Sequence, residues 1–350
     1  MSDTTIQSTF ATPIDRTKEV LRRLADQHGD ADHIVLSTSG GTDSLVAADV
    51  MARYGPDFGF DPGPVFHANT GTGVPQTLLA AQVFAAVHGL AYIEGTPYRD
   101  KDTVAAQVLE NGWPGAYPGT FSTGGHAVMW ATRKDRPMDG LYSNLPGKQI
   151  WVSGGRLQES DRRSATVADN AIDRKERRNR RVWVQPIHSW SDEEKRDYLR
   201  RSNLPVSEAY LVMGHSGECN ACSFDDTGLL DDLDLLAPEL AQAIRTLTVW
   251  LYQRVRRGDV DIAPKRLRWG WTPETDDADD VDDNQDTLFD PPDADARADD
   301  MEIVGCSSGS CETRNIPDWI RDLDSDRIID RADVLDAWNG NADAVVDRFR

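Results

Sequence analysis

Six consecutive residues, Ser39, Gly40, Gly41, Thr42, Asp43 and Ser44, have the types and order to bind an anion. The two glycines allow a tight turn in which successive backbone N–H groups point at one centre, and the helix-forming run that follows puts a helix N-terminus behind them. A phosphate chain or a pyrophosphate suits that geometry. The plainer alternative is a glycine turn that only starts a helix. The spacing is not that of a Walker loop, which needs G-x-x-x-x-G-K followed by Ser or Thr. Farther on, Arg156 and Arg163 can grip phosphate or sulfate through paired donors, with Glu159 orienting them or a ribose hydroxyl. The same three residues can equally make a surface ion-pair cluster. Four cysteines, Cys219, Cys222, Cys306 and Cys311, form two short-range pairs. Together they can supply four thiolates to one iron–sulfur cluster or to zinc, or they can remain unligated redox thiols. His215 is a possible extra ligand or an ordinary loop residue.

The elements that carry these residues follow from hydrophobic periodicity. Apolar residues at helical spacing predict a leading amphipathic helix over 15–28. Short apolar runs at 33–37, 64–68, 91–94, 150–153 and 182–185 predict strands separated by helix-length segments, which implies an α/β fold: a mostly parallel sheet with helices on both faces. The glycine loop then joins the first strand to a helix. The predicted organisation is an N-terminal helix (1–29), a nucleotide-binding domain (30–225), a helical extension (226–271), an acidic linker (272–300) and a C-terminal cysteine-containing helical segment (301–350). The linker has many acids, one arginine and three prolines, too little apolar surface to order itself. The 350 residues suit one main domain with an appendage.

The formal net charge is −21, with aspartate dominating the acids and arginine the bases, a balance expected of a protein that stays soluble in high salt. Against that background, basic residues cluster at 174–181, 254–257 and 265–268, where they can meet a nucleic-acid backbone or form solvated helix faces paired with acids. Trp269 and Trp271 beside the last cluster can stack a base, or pack in a core. No apolar run is long enough to span a membrane and no secretory signal pattern opens the chain, so a cytoplasmic, soluble protein is expected, in which structural disulfides are disfavoured.

Four segments, in order, carry a resemblance to a known superfamily. The string SGGTDS resembles the SGGxDS loop of PP-loop ATP pyrophosphatases. HANTGTGVPQT, containing Asn69, Thr70 and Gly71, is similar to the segment that lines the nucleotide pocket in the same superfamily. GGRLQESDRR looks like its GxRxxES..R motif. QPIHSW, followed by Leu204-Pro205 and Tyr210, resembles the motif before its cysteine region. Over about residues 30–225 the chain thus resembles the adenine nucleotide alpha-hydrolase-like superfamily of PAPS reductases and PP-loop enzymes.

The resemblance implies ATP or PAPS as the nucleotide, held at Ser39, Gly40, Gly41, Thr42, Asp43, Ser44, Asn69, Thr70, Gly71, Arg156 and Arg163. Asp43 would help place Mg2+, so Asp43→Ala is expected to reduce magnesium-dependent nucleotide turnover sharply while leaving the fold intact. Many relatives carry lysine where this chain has Thr42, which removes one charge contact to phosphate. The cysteine pattern is comparable to that holding a 4Fe–4S cluster in assimilatory adenylyl-sulfate reductases, although there the first pair is adjacent and here it is C-x-x-C. The implied activity is ATP-dependent activation, with release of pyrophosphate and AMP, coupled to sulfur transfer as in DNA phosphorothioation or tRNA thiolation. A nucleic acid and a sulfur-donor protein such as a cysteine desulfurase are the implied partners. The alternatives are a phosphoadenylyl- or adenylyl-sulfate reductase releasing sulfite, and a non-catalytic nucleotide-binding protein. The final residues DAVVDRFR lack the Glu-Cys-Gly-X-His-like tail that carries the reductase nucleophile, which favours the ATP reading.

Overall fold

The computed structural model describes residues 12–97, 99–114, 128–129, 131–158, 171–173, 181–220, 229–270 and 323–350. Its first element, α1 (Pro13–His28), begins two residues before the predicted start. Thr12 caps it in a reciprocal box with Asp15, and Pro13 takes the first position, where no N–H is needed. The helix turns Val20, Leu21 and Leu24 inward.

Five strands form the parallel part of the sheet: β1 (His33–Ser37), β2 (Val65–Ala68), β3 (Tyr92–Gly95), β4 (Gln149–Val152) and β6 (Arg181–Val184). A two-residue β5 (Ile172–Asp173) adds antiparallel to β6, giving the order β3-β2-β1-β4-β6-β5. Each of the five lies within one residue of its predicted boundaries; in β1, β2, β4 and β6 this follows because strands covered on both faces read as near-continuous apolar runs. Alternation along each strand then divides the core. Ile34, Leu36, Ile150, Val152, Val182 and Val184 face α1, α2 (Thr42–Tyr54) and α3 (Pro75–Val87). On the opposite face Val35, Phe66, Trp151 and Trp183 meet Met138 and Tyr142 of α5 (Arg136–Asn144). The ring centroids of Trp151 lie 5.6 Å from Phe66 and 5.5 Å from Trp183.

A further helical cluster lies beside this core. It joins α4 (Val104–Asn111), α8 (Leu229–Leu236) and α9 (Pro238–Arg257) around Trp113, Leu233, Ile244, Leu251 and Trp269. Trp269 is buried and its indole N–H donates to the Asn220 carbonyl at 3.1 Å, so it packs in a core and does not present a stacking face. The chain's last described segment returns to the body. There β8 (Ile328–Ile329) pairs in parallel with β7 (Val206–Ser207), and α10 (Arg331–Asp336) and α11 (Ala342–Asp347) pack on α3. Its Ile329, Val334, Val346 and Phe349 belong to the main core. No helix among the described residues is long and apolar enough to cross a membrane.

Candidate nucleotide site

The strand order reverses between β1 and β4, which are hydrogen-bonded neighbours although β2 and β3 intervene in sequence. Loops leaving the carboxyl ends of two such strands diverge and open a crevice, the place where open α/β sheets bind ligands. Here the two loops are 38–41, which leads into α2, and 153–157. The glycine loop and Arg156 therefore flank one crevice.

The loop has its conformation for steric reasons. Gly40 has φ +74°, and a Cβ there would collide with the Thr77 carbonyl of α3. Ser44 organises the turn: its hydroxyl donates to the Gly41 carbonyl at 2.8 Å, accepts the Ser39 N–H at 3.1 Å and lies 3.0 Å from the Thr38 hydroxyl. The Gly40 N–H donates to Thr38 Oγ1 at 3.0 Å, and the Thr42 N–H, first in α2, donates to the Tyr210 phenol oxygen at 3.0 Å. Tyr210 belongs to the short α7 (Ala209–Val212), so the predicted downstream motif meets the loop in space. Opposite, Gly154 comes so close to α2 that a Cβ on it would lie 2.6 Å from the Ser44 nitrogen.

Asp43 is buried in the first turn of α2 between two cations. Arg156 Nε bonds one carboxylate oxygen, and Lys195 Nζ lies 3.0 Å from the other. Arg156 is 2% exposed and sends its remaining groups to Asp192 Oδ1 at 2.7 Å and to the Trp190 carbonyl at 3.3 Å. In this arrangement its donors go to protein acceptors, and its visible role is to brace Asp43. Burial alone would raise the Asp43 carboxyl, but Lys195 and Arg156 outweigh it and hold the carboxyl below its usual range. Both Asp192 and Lys195 come from α6 (Asp192–Arg201), whose start is fixed by the Ser191–Glu194 capping box and by Arg16 bonded to Glu194 at 2.6 Å.

On the β2 side, Asn69 accepts the Gly71 N–H at 2.8 Å and donates to Glu94 at 2.8 Å, while the buried Thr70 hydroxyl donates to the Glu218 carbonyl at 2.9 Å. Asn69 and Gly71 line a cavity of about 560 Å³ that also touches His67, Glu218 and, from the C-terminal segment, Trp338. Glu218 forms a buried ion pair with Lys134 at 2.6 Å. His67 donates from Nδ1 to the Thr38 carbonyl at 3.0 Å as a neutral ring, burial having lowered its pKa. Burial also pushes His215 down to about 4, and its Nδ1 accepts the Gly217 N–H at 3.0 Å.

Of the predicted site residues, Ser39, Gly40, Gly41, Thr42, Asp43, Ser44 and Arg156 meet in this crevice, with Asn69, Thr70 and Gly71 on its β2 side. Glu159 and Arg163 lie outside the described residues, as do Cys222, Cys306, Cys311, Trp271 and most of the first basic cluster. Cys219 is described: it is half-buried, with its sulfur 3.9 Å from the Thr72 hydroxyl at the end of the β2 loop. Among the described residues no group of three His, Cys, Asp or Glu side chains is placed to hold a metal. Magnesium needs only one or two carboxylates when substrate phosphates complete its shell, but both Asp43 oxygens here face cations, so a metal arriving with a nucleotide would have to share the carboxylate with Arg156 and Lys195. Sequence reasoning passed over Lys195 and Lys134, and quoted Gly154 only as part of a motif without the close approach it allows. The one available signal was a lysine four residues before Leu199, on the stripe that α6 buries.

A glycine loop with a helix N-terminus at a topological switch point defines the class: an α/β protein with the kind of crevice in which open sheets bind ligands. A family model for the phosphoadenosine phosphosulfate reductase domain matches residues 33–213, just over half of the chain, and the chain belongs to that family. A curated relative, phosphoadenosine 5′-phosphosulfate reductase of Xylella fastidiosa (strain M12), is 25% identical over 203 residues, covering 52% of this chain and 71% of that protein. Among solved structures, the phosphate complex of phosphoadenylyl-sulfate reductase from Candida auris is similar with 17% identity and TM-score 0.40, covering 57% of this chain and 84% of that one. A tRNA thiolase from Methanococcus maripaludis, solved with its 4Fe–4S cluster, has 15% identity and TM-score 0.37, covering 71% of this chain and 78% of that one.

Proposed function

We propose that this chain binds ATP in the crevice between β1 and β4, activates an acceptor by adenylation and transfers sulfur to it. The observation that carries this reading is the complete glycine loop, folded at the switch point with α2 starting immediately behind it and buried cations beside it. Such a site favours the negative charge of a polyphosphate and the further charge that develops on a departing pyrophosphate. In the reaction an acceptor oxygen attacks the α-phosphorus and pyrophosphate leaves. The terminal sulfur of a persulfide donor, such as a cysteine desulfurase delivers, then attacks the activated acceptor and AMP leaves; a thiol reductant cleaves the S–S bond that still joins acceptor to donor, freeing the thiolated acceptor and leaving the donor sulfur in a disulfide with that thiol. Magnesium, when bound, would neutralise phosphate charge, with Asp43 as its protein ligand. A 4Fe–4S cluster or zinc held by Cys219, Cys222, Cys306 and Cys311 belongs to the same proposal; of the four, Cys219 is among the described residues, its sulfur 3.9 Å from the Thr72 hydroxyl.

The acceptor proposed is a nucleic acid. On the outer face of α9, Trp250 is 53% and Tyr252 45% exposed, next to exposed Arg256 and Arg257. Aromatic faces among arginines, on a chain of net charge −21, suit stacked bases and a phosphate backbone.

A second reading, reduction of phosphoadenylyl sulfate to sulfite, is favoured by the family match and by the curated relative. Product analysis separates the two. Anaerobically purified protein is incubated with ATP and Mg2+, or with PAPS and a thiol reductant, with and without RNA or DNA. AMP and pyrophosphate formed from ATP, increased by nucleic acid, are the expected outcome. Sulfite from PAPS with no turnover of ATP would establish the second reading instead.

A further inference from the structure

The loop 38–45 contains no cation of its own, yet a lysine from another element is buried against its first helical turn. Lys195 lies on the inward stripe of α6 with Leu199, a position where binary patterning calls for an apolar side chain. Lysine is almost never fully buried unless paired, and here the side chain is 10% exposed. Its ammonium has three donors. Among the described residues its one acceptor is Asp43, at 3.0 Å. The charges are also unequal: one buried carboxylate faces both Arg156 and Lys195, and the remaining acid, Asp192, is 53% exposed and therefore well screened. Asp192 and the Trp190 carbonyl engage both terminal nitrogens of Arg156, so each of its three nitrogens has a protein acceptor. Lys195, held among the described residues by a single contact with two of its three N–H groups open, is thus the less committed cation of this group.

We infer that Lys195 is the loop's phosphate-binding cation, supplied from α6, and that it binds a phosphoryl oxygen of the nucleotide while still touching Asp43. This rests on the nucleotide reading above and adds to it the residue that reads the phosphate charge. The geometry favours a permanent placement: the capping box and Arg16 hold the start of α6, and Tyr198, one turn on, bonds Asp49 of α2. Lys195 is therefore already positioned before any ligand arrives, which limits the entropy lost on binding.

The test is titration calorimetry of the full chain with MgATP and, separately, with inorganic pyrophosphate. Lys195→Met, close in length and suited to an apolar stripe, should weaken both ligands by about tenfold or more, the worth of one charge-assisted hydrogen bond. Lys195→Arg should retain most of the binding. Adding Thr42→Lys to Lys195→Met should recover part of it, since it returns an ammonium to the same turn; a purely structural lysine would show no such rescue. Melting curves identify a misfolded variant, in which case Lys195→Gln, which can still donate to Asp43 but carries no charge, takes its place: weakened binding of both ligands is expected, and wild-type affinity overturns the inference. Wild-type affinity in Lys195→Met overturns the inference and leaves the nucleotide reading standing. A wild-type chain that binds neither ATP nor PAPS overturns both.

Discussion

Asp43 shows how a single residue changes meaning between sequence and structure. Its position in the loop implies a metal ligand whose removal would spare the fold. In the structure the carboxylate is buried and is the shared counter-ion of Arg156 and Lys195. Removing one partner of a buried ion pair leaves an uncompensated charge and costs about 3–5 kcal/mol. Asp43→Asn is therefore expected to destabilise the protein by that order in urea denaturation at neutral pH, as well as to abolish turnover. Equal stability of variant and wild type would show that the pair contributes little to the fold. The acid side follows from the same contacts. The folded carboxyl titrates below its unfolded value of about 3.9, so its contribution is fully present above that pH and is lost as pH falls through the depressed folded value. Stability measured from pH 7 to pH 3 should fall less steeply at its acid end in Asp43→Asn than in wild type.

At the scale of elements, the site depends on how closely the β4 loop approaches α2. Gly154 allows that approach, because a Cβ there would lie 2.6 Å from both the Asp43 carbonyl carbon and the Ser44 nitrogen, and backbone atoms cannot step aside. Gly154→Ala is expected to cost about 1–3 kcal/mol through overpacking and to weaken nucleotide binding, since it separates the two walls of the crevice. Gly140, inside α5 with nothing within 4 Å of a Cβ, is the control: its alanine variant should be neutral or more stable by up to about 1 kcal/mol. Thermal melts of the two variants side by side decide the matter, and equal effects would refute the close-approach account. Four of the five parallel strands, β1, β2, β4 and β6, were legible because burial on both faces leaves an apolar run that needs no tertiary information; the edge strand β3 is only part-buried. The two-residue strands β5, β7 and β8 were not, since their pairing is decided by what the chain brings alongside. For the same reason the loop residues could be read from their own string, whereas Lys195, 152 positions from Asp43 in sequence, could be assigned only once α6 was seen to pack on α2.

For the whole molecule, charge is the property the fold must manage. The sequence has 59 acidic and 38 basic residues, leaving 21 carboxylates without a basic counterpart. Thirteen of the acids, against one arginine, fall in segment 272–300, so more than half of the excess charge lies there. Like charges carried on one chain repel, and salt shortens the range of that repulsion to about 10 Å at 0.1 M and about 3 Å at 1 M. Salt also weakens exposed ion pairs such as Arg22 with Glu19 and Asp26, but each such pair contributes only about 0–1 kcal/mol. The Asp43 cluster is buried and largely insulated from screening. Relief of repulsion should therefore dominate, and the melting temperature is expected to rise as KCl is raised from about 0.1 M to about 2 M. Because the repulsion grows faster than linearly with net charge, a full-length variant with the aspartates of 272–300 changed to asparagine should melt higher at low salt and gain less from added KCl. A melting temperature that falls with salt, or the same salt gain in both proteins, would mean that surface ion pairs, and not the acidic excess, set how this protein responds to its ionic surroundings.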